Sequence, residues 1–446
     1  MEITIEKLIY GGEGLAHHDG STVFVPFVLP AERVSVQPVE QKKKFIRARV
    51  DRLIEPSAER TPAPCPHFGV CGGCDYQHIP YEAQLKYKTE ILRETLRRIG
   101  KVDWPGEITT HASPPWAYRN RAQWKIRPLR DLSALPAADA APAAAAGETA
   151  SEPLAIGYFR ASSTALCAVE TCSILSPLLL KTLLALRAAL AAGELPPQLR
   201  EIEAFAGAAD TKLVLTATFA GFPSRAPEVA AQFRRLLPEI ESLLFHNPAN
   251  ERMHLDGPGY VECEAAGNTY RVGHFSFFQV NRFLVDEMVR EVSETEETGM
   301  LALDLFAGVG LFSLPLSKRF ARVVAVESNP AAARDLETNT SGRIARGVRA
   351  IEVRNADVDQ FLQKYREKPE FVLLDPPRAG LTPDTTRQLA RIAPARMTYV
   401  SCDPPTLARD LAALIKAGYE VAAIHLFDLF PQTFHMEAVV RLRRRP

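Results

Sequence analysis

The segment 300–317, MLALDLFAGVGLFSLPLS, decides how the C-terminal half of this chain folds. A Leu-rich apolar run passes through Asp304 into a glycine-containing turn, and a second apolar stretch follows. The same order recurs in RVVAVESNPAAARDLETN (322–339), IEVRNADVDQFL (351–362), EFVLLDPPRAG (370–380) and RMTYVSCDPPTLARDLAALIKAG (396–418). Each opens on apolar residues, closes on an acidic or small one, and leads toward a helix-period segment. Continuous apolar strands alternating with helices predict a parallel sheet covered on both faces, with its ligand crevice at the strands' C-terminal ends. The fold class expected is therefore α/β, with a Rossmann-like domain over 271–446.

Working outward, residues 1–54 read as short alternating strands, MEITIEKLI, STVFVPFVLP, ERVSVQPVE and FIRARVDRLI, punctuated by Gly, Pro and Asp. That pattern predicts a small OB-like β-barrel. A helix-period segment, YEAQLKYKTEILRETLRRIG (81–100), closes on a glycine. Strand-like RAQWKIRPL, LAIGYFR and TKLVLTATF mix with helix-like LSPLLLKTLLALRAALAA, so 55–270 is expected to form a central α+β domain. Inside it, the Ala- and Pro-rich stretch near 131–153 holds almost no large apolar residue and is expected to be a disordered insertion.

The 446 residues carry 53 Lys plus Arg against 53 Asp plus Glu, so overall charge gives no nucleic-acid signal. Basic residues bunch locally in KKKFIRARV (42–50), KYKTEILRETLRRIGK (86–101) and YRNRAQWKIRPLR (118–130), and such patches can hold phosphates on a neutral protein. No run approaches the roughly 20 apolar residues of a membrane span, and MEITIEKLIYGGEG shows no targeting pattern. A soluble cytoplasmic protein, monomeric and with no membrane partner, is expected. Of the seven cysteines, Cys65, Cys71 and Cys74 crowd together; clustered thiols in a reducing compartment point to metal rather than disulfides.

The strand ends carry the chemistry. In DLFAGVG (304–310) the turn around Gly308 lets backbone approach a ligand, but Leu311 and Phe312 follow Gly310, so the third glycine of a dinucleotide fingerprint is absent. A cofactor without a pyrophosphate, such as S-adenosylmethionine, fits better. Glu327 at the next strand end suits its ribose hydroxyls, and Asn355 or Asp357 its adenine. Asp375 stands where the reacting end of the cofactor is expected. Arg378 occupies the place where amino-methylating enzymes carry an aromatic ring, which disfavours methylation of an exocyclic nitrogen. Cys402 supplies a soft nucleophile: carbon 5 of uracil becomes electron-rich only after a thiolate adds to carbon 6. A base must later remove the carbon 5 proton, and Glu437, opening an apolar strand, can serve.

In order, GHFSFFQVN (273–281), DLFAGVG, LLDPPRAGL (373–381), SCDPPTL (401–407) and FPQTFHMEAVV (430–440) resemble the RNA 5-methyluridine methyltransferase family, especially its ribosomal-RNA members. The resemblance runs through nearly the whole chain. It implies a TRAM domain in the barrel, Cys402 as nucleophile, Glu437 as base, and Gln279, Phe306, Glu327, Asn355 and Asp375 as cofactor contacts. Leu311 departs from it, since family members often carry Asn there.

CPHFGVCGGCDYQH (65–78) supplies three thiols, too few for a closed four-thiolate site. Cys167 and Cys172 are candidates for the fourth, and His67 and His78 flank the motif. The resemblance selects Cys172 and implies a [4Fe-4S] cluster, whereas spacing alone leaves zinc equally open. The target base must leave its stack, and Phe275, Phe277, Phe278 or Trp124 can receive displaced bases. The RNA expected is ribosomal rather than transfer RNA. A tRNA uridine enzyme, a cytosine carbon 5 methyltransferase and an inactive RNA-binding assembly protein are the alternative readings.

Overall fold

The computed structural model describes residues 1–129, 153–207, 209–293, 298–341 and 350–446. All but the last residue of the Ala- and Pro-rich insertion expected near 131–153 lies outside the described residues. Two compact units form, one from 1–64, 74–115 and 283–446, the other from 65–73 and 116–282.

The first unit holds a curled six-stranded sheet ordered Glu2–Thr4, Arg33–Gln41, Phe45–Glu55, Ser21–Pro26, Glu13–His18, Lys7–Leu8. Strict alternation puts Val23, Val25, Val34, Val36 and Ile46 inside, while Ser35 and Gln37 on the same strands hydrogen-bond Asp51 at the surface. Register shifts along the Arg33–Gln41 and Phe45–Glu55 pair mark bulges, the device that lets a short sheet curl.

The second sheet of this unit has eight strands, ordered Ala350–Asn355, Phe320–Glu327, Gly299–Leu305, Phe371–Leu374, Arg396–Ser401, Glu437–Arg444, Tyr419–Phe427, Ile108–His111. The first five run parallel. Within the parallel part, the chain starts at the third position, winds to one edge, and returns to Phe371–Leu374 on the other side. The order therefore reverses beside Gly299–Leu305, where open α/β sheets bind their ligands. Glu437–Arg444 runs antiparallel to both neighbours.

Residues 74–115, read from sequence as central domain, lie with this unit. The helix Tyr81–Gly100 buries Tyr87, Ile91, Leu92 and Leu96 in the same core as Leu407, Leu411 and Leu414 of the helix Pro404–Lys416. Gly100 serves a close approach rather than a turn: a Cβ there would sit 2.5 Å from the Ala408 carbonyl oxygen, and Lys101 takes the left-handed cap at φ 54°. A fully buried Lys88 Nζ donates to Asp428 Oδ1 at 2.6 Å and to the Phe430 carbonyl at 3.1 Å. Beside it the Gln84 amide donates to Gln432 Oε1 at 3.0 Å and accepts from the Gln432 N–H at 2.9 Å. These bonds anchor the segment that leads into the strand Glu437–Arg444. Lys88→Met is expected to leave a buried, unpaired Asp428 and cost about 3–5 kcal/mol in denaturant unfolding, most of which a second change, Asp428→Leu, should restore.

The second unit is a seven-stranded sheet ordered Leu166–Ala168, Leu154–Phe159, Arg121–Pro128, Leu199–Ala206, Leu213–Phe219, Ile240–Asn247, Arg252–Asp256, with the helices Pro177–Ala191 and Ala226–Leu236 sharing its core. It is α+β, as its mixed patterns predict. Ser176 caps the first helix by accepting from the Leu179 N–H, and Pro177 follows at the first helical position, where its missing N–H costs nothing. Among the described residues no helix is long and apolar enough to cross a membrane.

Candidate active site

The site grows from strand register. Ser401 and Ala438 are partners across the antiparallel pair Arg396–Ser401 and Glu437–Arg444. Cys402 leaves the first strand just after Ser401, and Glu437 enters the second just before Ala438, so the two meet at one end of the sheet. Asp375 directly follows the adjacent parallel strand, whose last residue, Leu374, pairs with Tyr399.

These groups also act on one another electrostatically. Burial and then the Glu437 charge push the Cys402 thiol up to about 11, with Asp375 adding to the effect. The Arg378 guanidinium opposes them: it hydrogen-bonds the thiol and its charge favours thiolate. Glu437 is held well above the ordinary carboxylate range, first by burial and then by Asp375, against the same Arg378. Asp375 itself is raised to about 7 by burial and by the Asp304 and Glu327 charges. Asp304 likewise reaches about 7, mainly from burial, although Ser313 donates to one of its oxygens.

The turn after Gly299–Leu305 is shaped as a cradle. Phe306 holds a left-handed φ of 69°, a conformation that costs a non-glycine residue energy and clusters at binding sites. At Gly308, φ is 55° and a Cβ would meet nothing within 4 Å, so the backbone faces open space. Glu327 joins this turn to the neighbouring strand by accepting from the Gly308 N–H at 2.8 Å and the Asn329 N–H at 2.6 Å. The Asn355 amide donates to the carbonyls of Glu327 and Ser328 at 2.8 and 3.3 Å. Asp357 is a helix cap, its Oδ1 accepting from Asp359 and Gln360 N–H groups. Leu311 is buried apolar packing, and Gln279 is buried within the second unit.

Asp403, the acidic neighbour of the thiol, is likewise a cap. Its Oδ2 accepts from the Thr406 N–H at 3.0 Å and its Oδ1 from the Tyr10 hydroxyl at 3.0 Å. Sequence reading missed two residues here. The sequence marks Arg378 only as the substitute for an aromatic ring; its place four residues past the end of the strand Phe371–Leu374, beside the strand that leads to the cysteine, is the available signal. Tyr10 carried no signal, because only tertiary structure brings a barrel turn to this point.

In the second unit, Cys172 is pushed up to about 11 by burial, with Cys71 and Cys65 adding to it, while the Ile174 N–H and Tyr158 hydroxyl hydrogen-bond its sulfur. Cys167 instead sits in the core and points its thiol at the Ala168 carbonyl, 3.9 Å away. His67 Nε2 accepts from the Glu170 N–H at 3.0 Å, which occupies that nitrogen. Cys74 follows Gly73 in the chain, at the start of a first-unit segment. Among the described residues no three His, Cys, Asp or Glu side chains are placed to hold a metal ion. Trp124 is fully buried with its Nε1 donating to Tyr158 at 2.9 Å, and Phe278 is buried as well, so neither offers a face to a base. Phe275 and Phe277 are 46% and 58% exposed.

Strand order, switch point and glycine cradle define a Rossmann-like domain with its ligand crevice at the strands' C-terminal ends. The structure of Pyrococcus abyssi tRNA (uracil-54, C5)-methyltransferase in complex with S-adenosyl-L-homocysteine shares the fold, with TM-score 0.72 and 24% identity over 99% of this chain and 100% of that one. A family model described as tRNA (Uracil-5-)-methyltransferase matches residues 260–445. The 23S rRNA (uracil(1939)-C(5))-methyltransferase RlmD of Salmonella choleraesuis is 33% identical over 455 residues, 100% of this chain and 96% of that protein. An uncharacterized RNA methyltransferase of Aquifex aeolicus is 31% identical over 458 residues, 99% of this chain and 98% of its own. This chain belongs to the RNA uracil-C5 methyltransferase family, a family of enzymes.

Proposed function

We propose that this protein methylates carbon 5 of a uridine in ribosomal RNA, through a transient bond between Cys402 and carbon 6. The observation that carries the reading is the register that sets Cys402 against Glu437 with Arg378 on the thiol. The cradle at Phe306 and Gly308, Glu327, Asn355 and Asp375 fit S-adenosylmethionine, whose cationic sulfonium suits a crevice crowded with carboxyl groups. That cofactor supplies the methyl group. Cys402 thiolate forms the C–S bond at carbon 6, and the displaced π electrons pass to the carbon 4 oxygen as an enolate. Arg378 favours the thiolate that starts this step. Carbon 5 takes the methyl group and then bears both methyl and hydrogen. Glu437 removes that proton, the carbon 5 to carbon 6 double bond re-forms, and the thiolate departs.

Exposed barrel residues Arg49 and Arg52 with Lys42, Lys43 and Lys44 suit RNA phosphates, in keeping with a TRAM role for 1–54. Phe277 is the ring best exposed for stacking on RNA. Cys65, Cys71, Cys74 and Cys172 are the ligands we assign to a [4Fe-4S] cluster. The mutual influence of Cys65, Cys71 and Cys172 supports that assignment.

Ribosomal RNA is favoured by full-length similarity to the ribosomal enzyme named above. Mass-spectrometric mapping of rRNA and tRNA from cells lacking the protein tests this. One 5-methyluridine is expected to vanish from rRNA. Loss from tRNA alone transfers the assignment to tRNA, and methyl lost only from cytidine ends the uracil reading.

A further inference from the structure

Tyr10 lies in the barrel turn between the strands Lys7–Leu8 and Glu13–His18, far in sequence from every residue of the site. Its hydroxyl donates to Asp403 Oδ1 at 3.0 Å and lies 3.4 Å from the Cys402 carbonyl oxygen. Its ring meets Phe434 edge to face, with centroids 5.5 Å apart and planes at 89°. The same turn presses on the Glu437 approach at Gly12, where a Cβ would stand 3.2 Å from the Phe434 ring and 3.2 Å from Asp75 Cβ. One barrel side chain thus touches both the turn that delivers Cys402 and the segment that delivers Glu437. The Arg378 charge reaches it as well as the thiol and Glu437.

We propose that Tyr10 is a positioning residue for methyl transfer: by holding Asp403 with its hydroxyl and Phe434 with its ring, it fixes the nucleophile turn relative to the base. The barrel is then part of the catalytic scaffold as well as an RNA-binding surface. Asp403 is the pivot. One of its oxygens caps the helix Pro404–Lys416 and the other is tied to Tyr10, which keeps the carboxylate from turning toward the thiol. Without the hydroxyl, Asp403 keeps its cap but loses its second restraint, and the adjacent thiolate becomes harder to form and less well aimed. The inference rests on the catalytic roles proposed for Cys402 and Glu437.

The test uses full-length Tyr10→Phe, which keeps the ring and removes only the hydroxyl, with a ribosomal-RNA fragment that the unaltered protein methylates. Loss of one hydrogen bond to a charged group predicts a kcat about tenfold lower with KM for RNA unchanged. Alkylation of Cys402 by iodoacetamide without RNA, followed on its peptide by mass spectrometry, should slow at fixed pH and move to higher pH. Tyr10→Ala, which also removes the ring, should lose more kcat. A raised KM with kcat intact would show that Tyr10 only binds RNA and overturn the proposal. So would an unmoved alkylation profile, whatever kcat does. Methylation surviving in Cys402→Ala would instead overturn the catalytic reading, while the alkylation profile of Tyr10→Phe still reports whether the turn has moved.

Discussion

Cys402→Ala is expected to lower methylation by at least about 10⁴-fold, because among the described residues Cys402 is the thiol placed at these strand ends to add to carbon 6. Arg378→Gln should act on the same step from outside the thiol. Without the guanidinium, burial and the Glu437 and Asp375 charges act unopposed, so the thiol rises above its already elevated value of about 11. Activity of the unaltered protein should therefore climb as pH rises through the alkaline range, and in Arg378→Gln that climb should start at higher pH. Initial rates with radiolabelled S-adenosylmethionine across pH, together with the alkylation rate of Cys402, measure both effects. Near-normal methylation by Cys402→Ala would leave the covalent route without its first bond.

Glu437→Gln is expected to separate the two halves of the reaction. Addition of sulfur and transfer of methyl do not need the base, whereas release of the ring does. Turnover should fall about 10²- to 10⁴-fold while a methylated protein–RNA adduct accumulates and survives denaturing electrophoresis. The substitution also removes the charged neighbour that, after burial, does most to raise the Cys402 thiol. Alkylation of that thiol should consequently begin at lower pH than in the unaltered protein. Full turnover without adduct would assign the proton to another group.

The fold was largely legible because each strand of the parallel sheet announces itself by an apolar run ending at a polar or small residue. Glu327 and Asp375 could be placed at strand ends on that basis. The meeting of Cys402 with Glu437 was not legible from pattern, since it depends on an antiparallel register that no local spacing encodes; the demands of the chemistry suggested the two residues, and family resemblance gave them the same roles. Residues 74–115 show a comparable limit. The stripe Tyr87, Ile91, Leu92 and Leu96 says that one helix face is buried but not against which partner, and the structure sets it in the core of the eight-stranded unit. Asp357 and Asp403 were legible in principle as helix caps, because each stands at the first turn of a helix-period run. The acidity of Asp357 pointed to an adenine contact instead. Trp124 illustrates the opposite error: arginines around an aromatic suggested an RNA contact, yet alternation along Arg121–Pro128 turns that ring inward.

The antiparallel strand that carries Glu437 has one more consequence, for biosynthesis. The ribosome releases Cys402 before it makes Glu437, so on the proposed mechanism a growing chain holds the nucleophile before its base. On the mechanism proposed above, competence waits for the later strand to zip beside Arg396–Ser401 in the alignment that sets Glu437 opposite Cys402.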